Sequence, residues 1–142
     1  MKKQKAVDVG FESFNIVKKS EAGVKMPLYL PDGKKTTSWL KLRGVNSPSF
    51  EEAVSVADRE QVELLGKESK LEQNEIDNAR REITRKMLAA LVVDWSDKKT
   101  PCTEKNVCEF FKGAPQIQRQ VDTFATEDKH FINDSFSKPP TS

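Results

Sequence analysis

His130 is the only histidine in a chain of 142 residues. One imidazole cannot supply the paired nitrogen ligands of a zinc centre within a subunit, and any Ser-His-Asp arrangement would have to draw on this same residue, close to the C-terminus. The two cysteines, Cys102 and Cys108, stand six positions apart, which is neither zinc-knuckle nor redox-pair spacing. Cys108 reads instead as a small core residue of a helix. The carboxylates Glu51, Glu52, Glu60, Glu63, Glu68, Glu72 and Glu75 are spread around helical segments, a distribution that suits solvated faces better than an acid and base held together. The glycines Gly10, Gly23, Gly33, Gly44, Gly66 and Gly113 lie at turns or segment ends and never cluster, so no phosphate-cradling loop and no nucleotide cofactor is implied. The residue types therefore point away from an enzyme: no catalytic, cofactor-binding or metal-ligating residue is expected.

Charge narrows the partners. Lysine and arginine number 24 and aspartate and glutamate 22, for a net charge of +2, and both signs are scattered along the sequence, so no strong field gathers phosphates. Arg80, Arg81, Arg85 and Lys86 form the densest basic group, but Glu75, Asp77 and Glu82 interrupt it at spacings that allow pairs one helical turn apart. Nucleic acid is a poor default partner. The most apolar stretch, Met87 to Val93, is bracketed by Lys86 and Asp94, far short of the roughly 20 apolar residues that span a bilayer. The opening residues lack the apolar run of a secretory signal, so the expectation is a cytoplasmic protein with reduced thiols and no membrane partner.

Hydrophobic residues make up 36% of the chain and charged ones 32%, with a mean hydropathy of −0.66, which predicts one modest core under a densely ionic surface. Residues 1–13 read as a flexible arm, because three lysines and little apolar content give no burial to offset ordering. An apolar run at Phe14, Ile16 and Val17 precedes turn residues and then the alternation Val24, Met26, Leu28, Leu30, a strand with one buried face. Pro31-Asp32-Gly33 suits a tight hairpin, and Trp39 to Val45 returns as the next strand. The expectation is an antiparallel meander over 14–45, with Pro27 confining its strand to an edge. Ser47, Pro48, Glu51 and Glu52 mark a helix entry for a first helix over about 48–65. A longer helix follows on the period of Ile76, Ala79, Ile83, Met87 and Leu91, its face widening toward Leu88, Val92 and Val93. Thr103 opens a third helix carrying Val107, Phe110 and Phe111. Gly113, expected at positive φ, ends it, and Pro115 begins a fourth that carries Ile117, Val121 and Phe124.

The whole is an α+β domain over 14–127, a small N-terminal antiparallel β-meander packed with about four helices (48–127), followed by a flexible tail over 128–142 whose Phe131, Ile132 and Phe136 could dock on a partner. Trp95 reads as core. Trp39, on the polar face of its strand, is divided between core packing and contact with a partner. Self-association through an exposed strand edge or helix face is also expected.

The order of these segments resembles the tail assembly chaperones of long-tailed bacteriophages. In the N-terminal third the likeness lies in Pro31-Asp32-Gly33, the Trp39 strand ending at Gly44, and Asn46-Ser47-Pro48-Ser49-Phe50 opening a helix. In the second half it lies in Leu88 to Trp95, Cys102-Thr103-Glu104-Lys105-Asn106-Val107, Phe110-Phe111, Ala114-Pro115-Gln116-Ile117 and Phe124, so that the match spans about 14–131. The resemblance implies a non-enzymatic protein of the host cytoplasm, absent from the mature virion. It would keep the apolar tape-measure protein soluble and help recruit tail-tube protein, with a longer frameshifted product sometimes made from the same gene. Trp39, Phe131, Ile132 and Phe136 are then the candidate partner-binding residues. The rival reading is a small phage or host regulatory protein that binds nucleic acid.

Overall fold

The structure, a computed structural model, describes residues 6–132. It is an α+β fold: a three-stranded antiparallel sheet, in the order β1-β2-β3, with five α-helices among the described residues. A 3-10 turn at Phe11–Phe14 leads into α1 (Val17–Ala22). Strands β1 (Val24–Tyr29) and β2 (Lys35–Leu42) form the hairpin. Helices α2 (Pro48–Lys67) and α3 (Gln73–Ala89) follow, then β3 (Val92–Trp95), α4 (Glu104–Gly113) and α5 (Pro115–Thr126), and a last 3-10 turn at Asp128–Phe131.

The hairpin forms where Asp32 and Gly33 place it. Gly33 sits at φ 89°, a left-handed conformation that costs glycine little, and the Lys34 N–H donates to the Asp32 carboxylate at 3.0 Å. Met26, Leu28, Leu40 and Leu42 point inward from the two strands and are buried, as period two requires. Pro27 lies on β1, the outermost strand, where a missing N–H is tolerated. The helix entries are equally local. Ser47 accepts from the Phe50 N–H with Pro48 in the first turn, Thr103 accepts from the Asn106 N–H, and Glu72 and Glu75 form a reciprocal capping box at the start of α3.

The sheet differs from the expected meander in its third strand. Phe14, Ile16 and Val17 do not extend. The backbone coils through α1, with the Ser20 N–H donating to Ile16 O at 2.8 Å, until Gly23, at φ 94°, ends it. A Cβ on Gly23 would also lie 3.2 Å from Val93 and 3.3 Å from the Leu42 carbonyl, so the chain passes close to the sheet there. The third strand is instead Val92–Trp95, antiparallel to β2 with Leu40 opposite Trp95. The long helix stops because its last turn tightens, with the Ala90 and Leu91 N–H groups bonding back to Met87 and Leu88. The Arg43 guanidinium then takes the freed Ala90 carbonyl at 3.0 Å. Gly113 departs from expectation too: it has no positive φ and is the last residue of α4, while Ala114 makes the bend into α5.

One core fills the space between the sheet and the helices. Leu40, Leu42, Leu91, Val107, Phe111 and Val121 are almost fully enclosed at its centre. Trp95 is part of it, edge-on to Phe110 at 6.0 Å and with its indole N–H donated to Thr100 O. Helices α2 and α3 form an antiparallel pair, and α3 pairs its ionic groups with what precedes it: Lys86 reaches Glu60 of α2, and Arg80 reaches Glu68 in the 3-10 turn that follows α2.

Glu21 ties three elements together. Its carboxylate accepts from the Ser49 N–H at 2.8 Å, the Ser49 hydroxyl at 2.7 Å and Arg43 Nε at 3.0 Å, joining α1 to the end of β2 and the start of α2. The Ser49 bonds, aided by the Arg43 charge, hold this carboxyl below its ordinary value of 4.5. A depressed folded-state pKa contributes stability that is fully present above the unfolded value and is lost as pH falls through the folded one. Unfolding curves taken from pH 7 downward should therefore show stability falling below about pH 4.5. In Glu21→Gln that part of the acid dependence should disappear, with a loss at neutral pH of about 1 kcal/mol for a side chain this exposed.

Candidate functional site

Trp39 stands on the outward face of β2, half-buried, opposite Pro27. Its backbone is fixed from the next loop, since Trp39 N–H donates to Ser96 Oγ at 2.9 Å and Ser96 N–H donates to Trp39 O at 3.1 Å. The indole lies under two ammonium groups, Lys25 Nζ at 4.2 Å and Lys98 Nζ at 5.5 Å from the ring centroid, which hold it by cation–π attraction. Lys98 is itself anchored to Asp94 at 3.0 Å, and this contact, with the Trp95 N–H and the nearby Lys41, keeps the Asp94 carboxyl below its usual range. Beside the ring opens a cleft of about 370 Å³, whose apolar wall is Leu28, Leu40, Trp95 and Phe110 and whose rim carries Ser96 and Asn106. An aromatic at the mouth of an apolar cleft with a few polar groups is the arrangement that accepts a large side chain from a partner.

The C-terminal candidates do not join this site. Phe131 belongs to the fold: the 3-10 turn at Asp128–Phe131 docks it at 1% exposure, edge-on to Phe124 at 6.0 Å. The expectation of an adaptable tail from Asp128 onward fails for these residues, because the pocket left by Gly44 beside Ser20 admits the Phe131 ring. Ile132 is 39% exposed and remains available to a partner. Phe136 lies outside the described residues. His130 is held as well, stacked on Phe124 with centroids 3.8 Å apart and ring planes 5° from parallel. Its Nε2 lies 3.2 Å from Glu127 Oε1, a bond that holds the Glu127 carboxyl below its usual value.

Burial raises the pKa of both thiols, Cys102 and Cys108, which disfavours thiolate chemistry. Cys108 packs against the core, as its place in a helix suggested. Among the described residues no three histidine, cysteine, aspartate or glutamate side chains are grouped to hold a metal ion. Nor is any helix of the described residues long and apolar enough to cross a membrane.

A second surface was missed in the sequence. Phe11 and Phe14 are 89% and 69% exposed, their rings 6.5 Å apart and edge-on, and Val7, Val9 and Val17 flank them, also exposed. The segment buries none of its large apolar groups, although its i, i+3 phenylalanine spacing is a legible sign of a turn that places both rings on one side. Comparison of the chain with protein-family models, with curated proteins and with solved structures gives no match.

Proposed function

We propose that the chain is a phage tail assembly chaperone that binds the tape-measure protein in the host cytoplasm, keeps it soluble and helps recruit tail-tube subunits to it. The observation that supports this reading best is the run of unburied apolar side chains from Val7 to Val17, centred on Phe11 and Phe14, since clustered exposed apolar groups mark protein-binding surfaces. The Trp39 cleft adds a second contact of the same character. Two small surfaces of this kind bind weakly one at a time, and many copies along one client would make the coat stable while leaving each contact displaceable.

Co-expression with the tape-measure protein of the same phage tests the reading. The expected result is a soluble complex that copurifies, and replacement of both Phe11 and Phe14 by serine weakens it by about tenfold or more without altering the unfolding curve. A client that stays insoluble, with no association, would overturn it.

A further inference from the structure

The charges on this chain nearly cancel in number but are separated in space. Between α3 and α5 lies a cleft of about 340 Å³ lined by Arg80, Arg81, Arg85 and Arg119, with Pro115 and Gln118, and no carboxylate forms part of its wall. Arg80 is engaged by Glu68, and Arg81 bonds Asn78, a neutral amide. Arg119 is exposed, and Arg85 is half-buried and borders a second cleft with Glu82, Glu104 and Glu109; neither arginine has a carboxylate within ion-pair distance among the described residues. Guanidinium groups gathered in one cleft and not engaged by a direct ion pair are well placed to receive an anion.

The opposite sign predominates on the outer side of α2, where Arg59 is also exposed but lies beside Glu52 and Glu63 rather than on the line of Glu51 and Asp58. Glu51, Glu52, Asp58 and Glu63 are exposed there and make no ion pair among the described residues, and Val62 and Leu65 stand exposed on the same stripe as Glu51 and Asp58. The other face of α2, with Ala53, Ala57 and Glu60, looks onto Ile83 and Lys86 of α3. The acidic stripe therefore points away from α3 and cannot reach the arginine cleft of its own chain.

We infer that the arginine cleft of one copy receives the acidic α2 stripe of a second copy. The two surfaces differ, so the contact is heterologous: it does not close on itself at a dimer, and successive copies add head to tail. Steering by opposite charges makes the association salt-dependent. This contact uses neither the Phe11–Phe14 segment nor the Trp39 cleft, so it stands or falls separately from the proposed chaperone activity.

Sedimentation velocity on the full chain tests it. The weight-average mass should rise with concentration at about 0.05 M salt and fall toward the monomer at about 0.5 M. A variant carrying Arg85→Glu and Arg119→Glu, and another carrying Glu51→Arg and Asp58→Arg, should each self-associate at least about tenfold more weakly. Mixed in equal amounts they should assemble again in alternation, since the acidic stripe of the first fits the arginine cleft of the second and the reversed stripe of the second fits the reversed cleft of the first. Circular dichroism on each variant establishes that it is folded; where one is not, the single changes Arg119→Glu and Glu51→Arg, both exposed, replace the pairs. A wild-type protein that stays monomeric at every concentration, reversed variants that associate like wild type, or a mixture that remains monomeric would overturn the inference. So would binding of a 12-nucleotide oligo(dT) that depends on Arg85 and Arg119 while the protein stays monomeric, because the cleft would then be a nucleic-acid site.

Discussion

Phe131→Ala is expected to lower the unfolding free energy by about 3–5 kcal/mol, the range for truncating a fully enclosed aromatic. The ring is 1% exposed and meets Phe124 edge-on at 6.0 Å. Its removal leaves a void against Gly44 and Ser20, residues too small to fill it. A domain of this size is stable by only about 5–15 kcal/mol, so the urea midpoint should fall steeply. Ile132→Ala, one residue on and 39% exposed, should change stability by no more than about 0.5 kcal/mol. The pair separates two roles for the C-terminal apolar residues. A Phe131→Ala protein with an unchanged midpoint and weakened client binding would return Phe131 to the partner-facing role its sequence context suggested.

That context was misleading for a definite reason. Phe131 follows the last helix among charged and polar neighbours, Glu127, Asp128, Lys129 and His130, and no local period links it to the residues that enclose it. Beyond Phe124 they come from Gly44, past the end of β2, and from Ser20 in α1, which are far from it in sequence. The helix boundaries behaved differently. Ser47-Pro48, Thr103 and Pro115 carry their capping chemistry within a few residues, so the starts of α2, α4 and α5 were legible at once. The third strand was not, because Val92–Trp95 continues an apolar run that the helical period reaches through Leu91. A short apolar run does not distinguish a helix end from a strand, and only the pairing of Val92 with Leu42 does. Trp39 was legible as a residue with a divided role. Its cleft was not, since the walls come from β1, β2, β3 and α4.

The second large effect is expected at Gly44. Its φ is not positive, so conformational freedom does not explain the glycine; space does. A Cβ there would lie 2.7 Å from Ser20 Oγ and 3.0 Å from the Phe131 ring, and Gly44→Ala should cost about 1–3 kcal/mol as the neighbours are forced apart. The hydroxyl in the way is itself unusual: Ser20 is fully enclosed and its Oγ has no hydrogen-bond partner among the described residues. Ser20→Ala should then be neutral or stabilising by up to about 1 kcal/mol, because a buried donor without a partner is removed. In Ser20→Ala with Gly44→Ala the closest clash is gone, and the combined loss should be smaller than the sum of the two single changes by about 0.5 kcal/mol or more. Strict additivity in urea unfolding would mean that the Phe131 ring, not the hydroxyl, excludes a side chain at position 44. The joint also carries α1, through the Gly44 N–H bonded to Ser20 O at 3.1 Å. The exposed Phe11 and Phe14 precede α1 in the chain, so Gly44→Ala should weaken the proposed client binding together with stability, and Ser20→Ala should restore part of both.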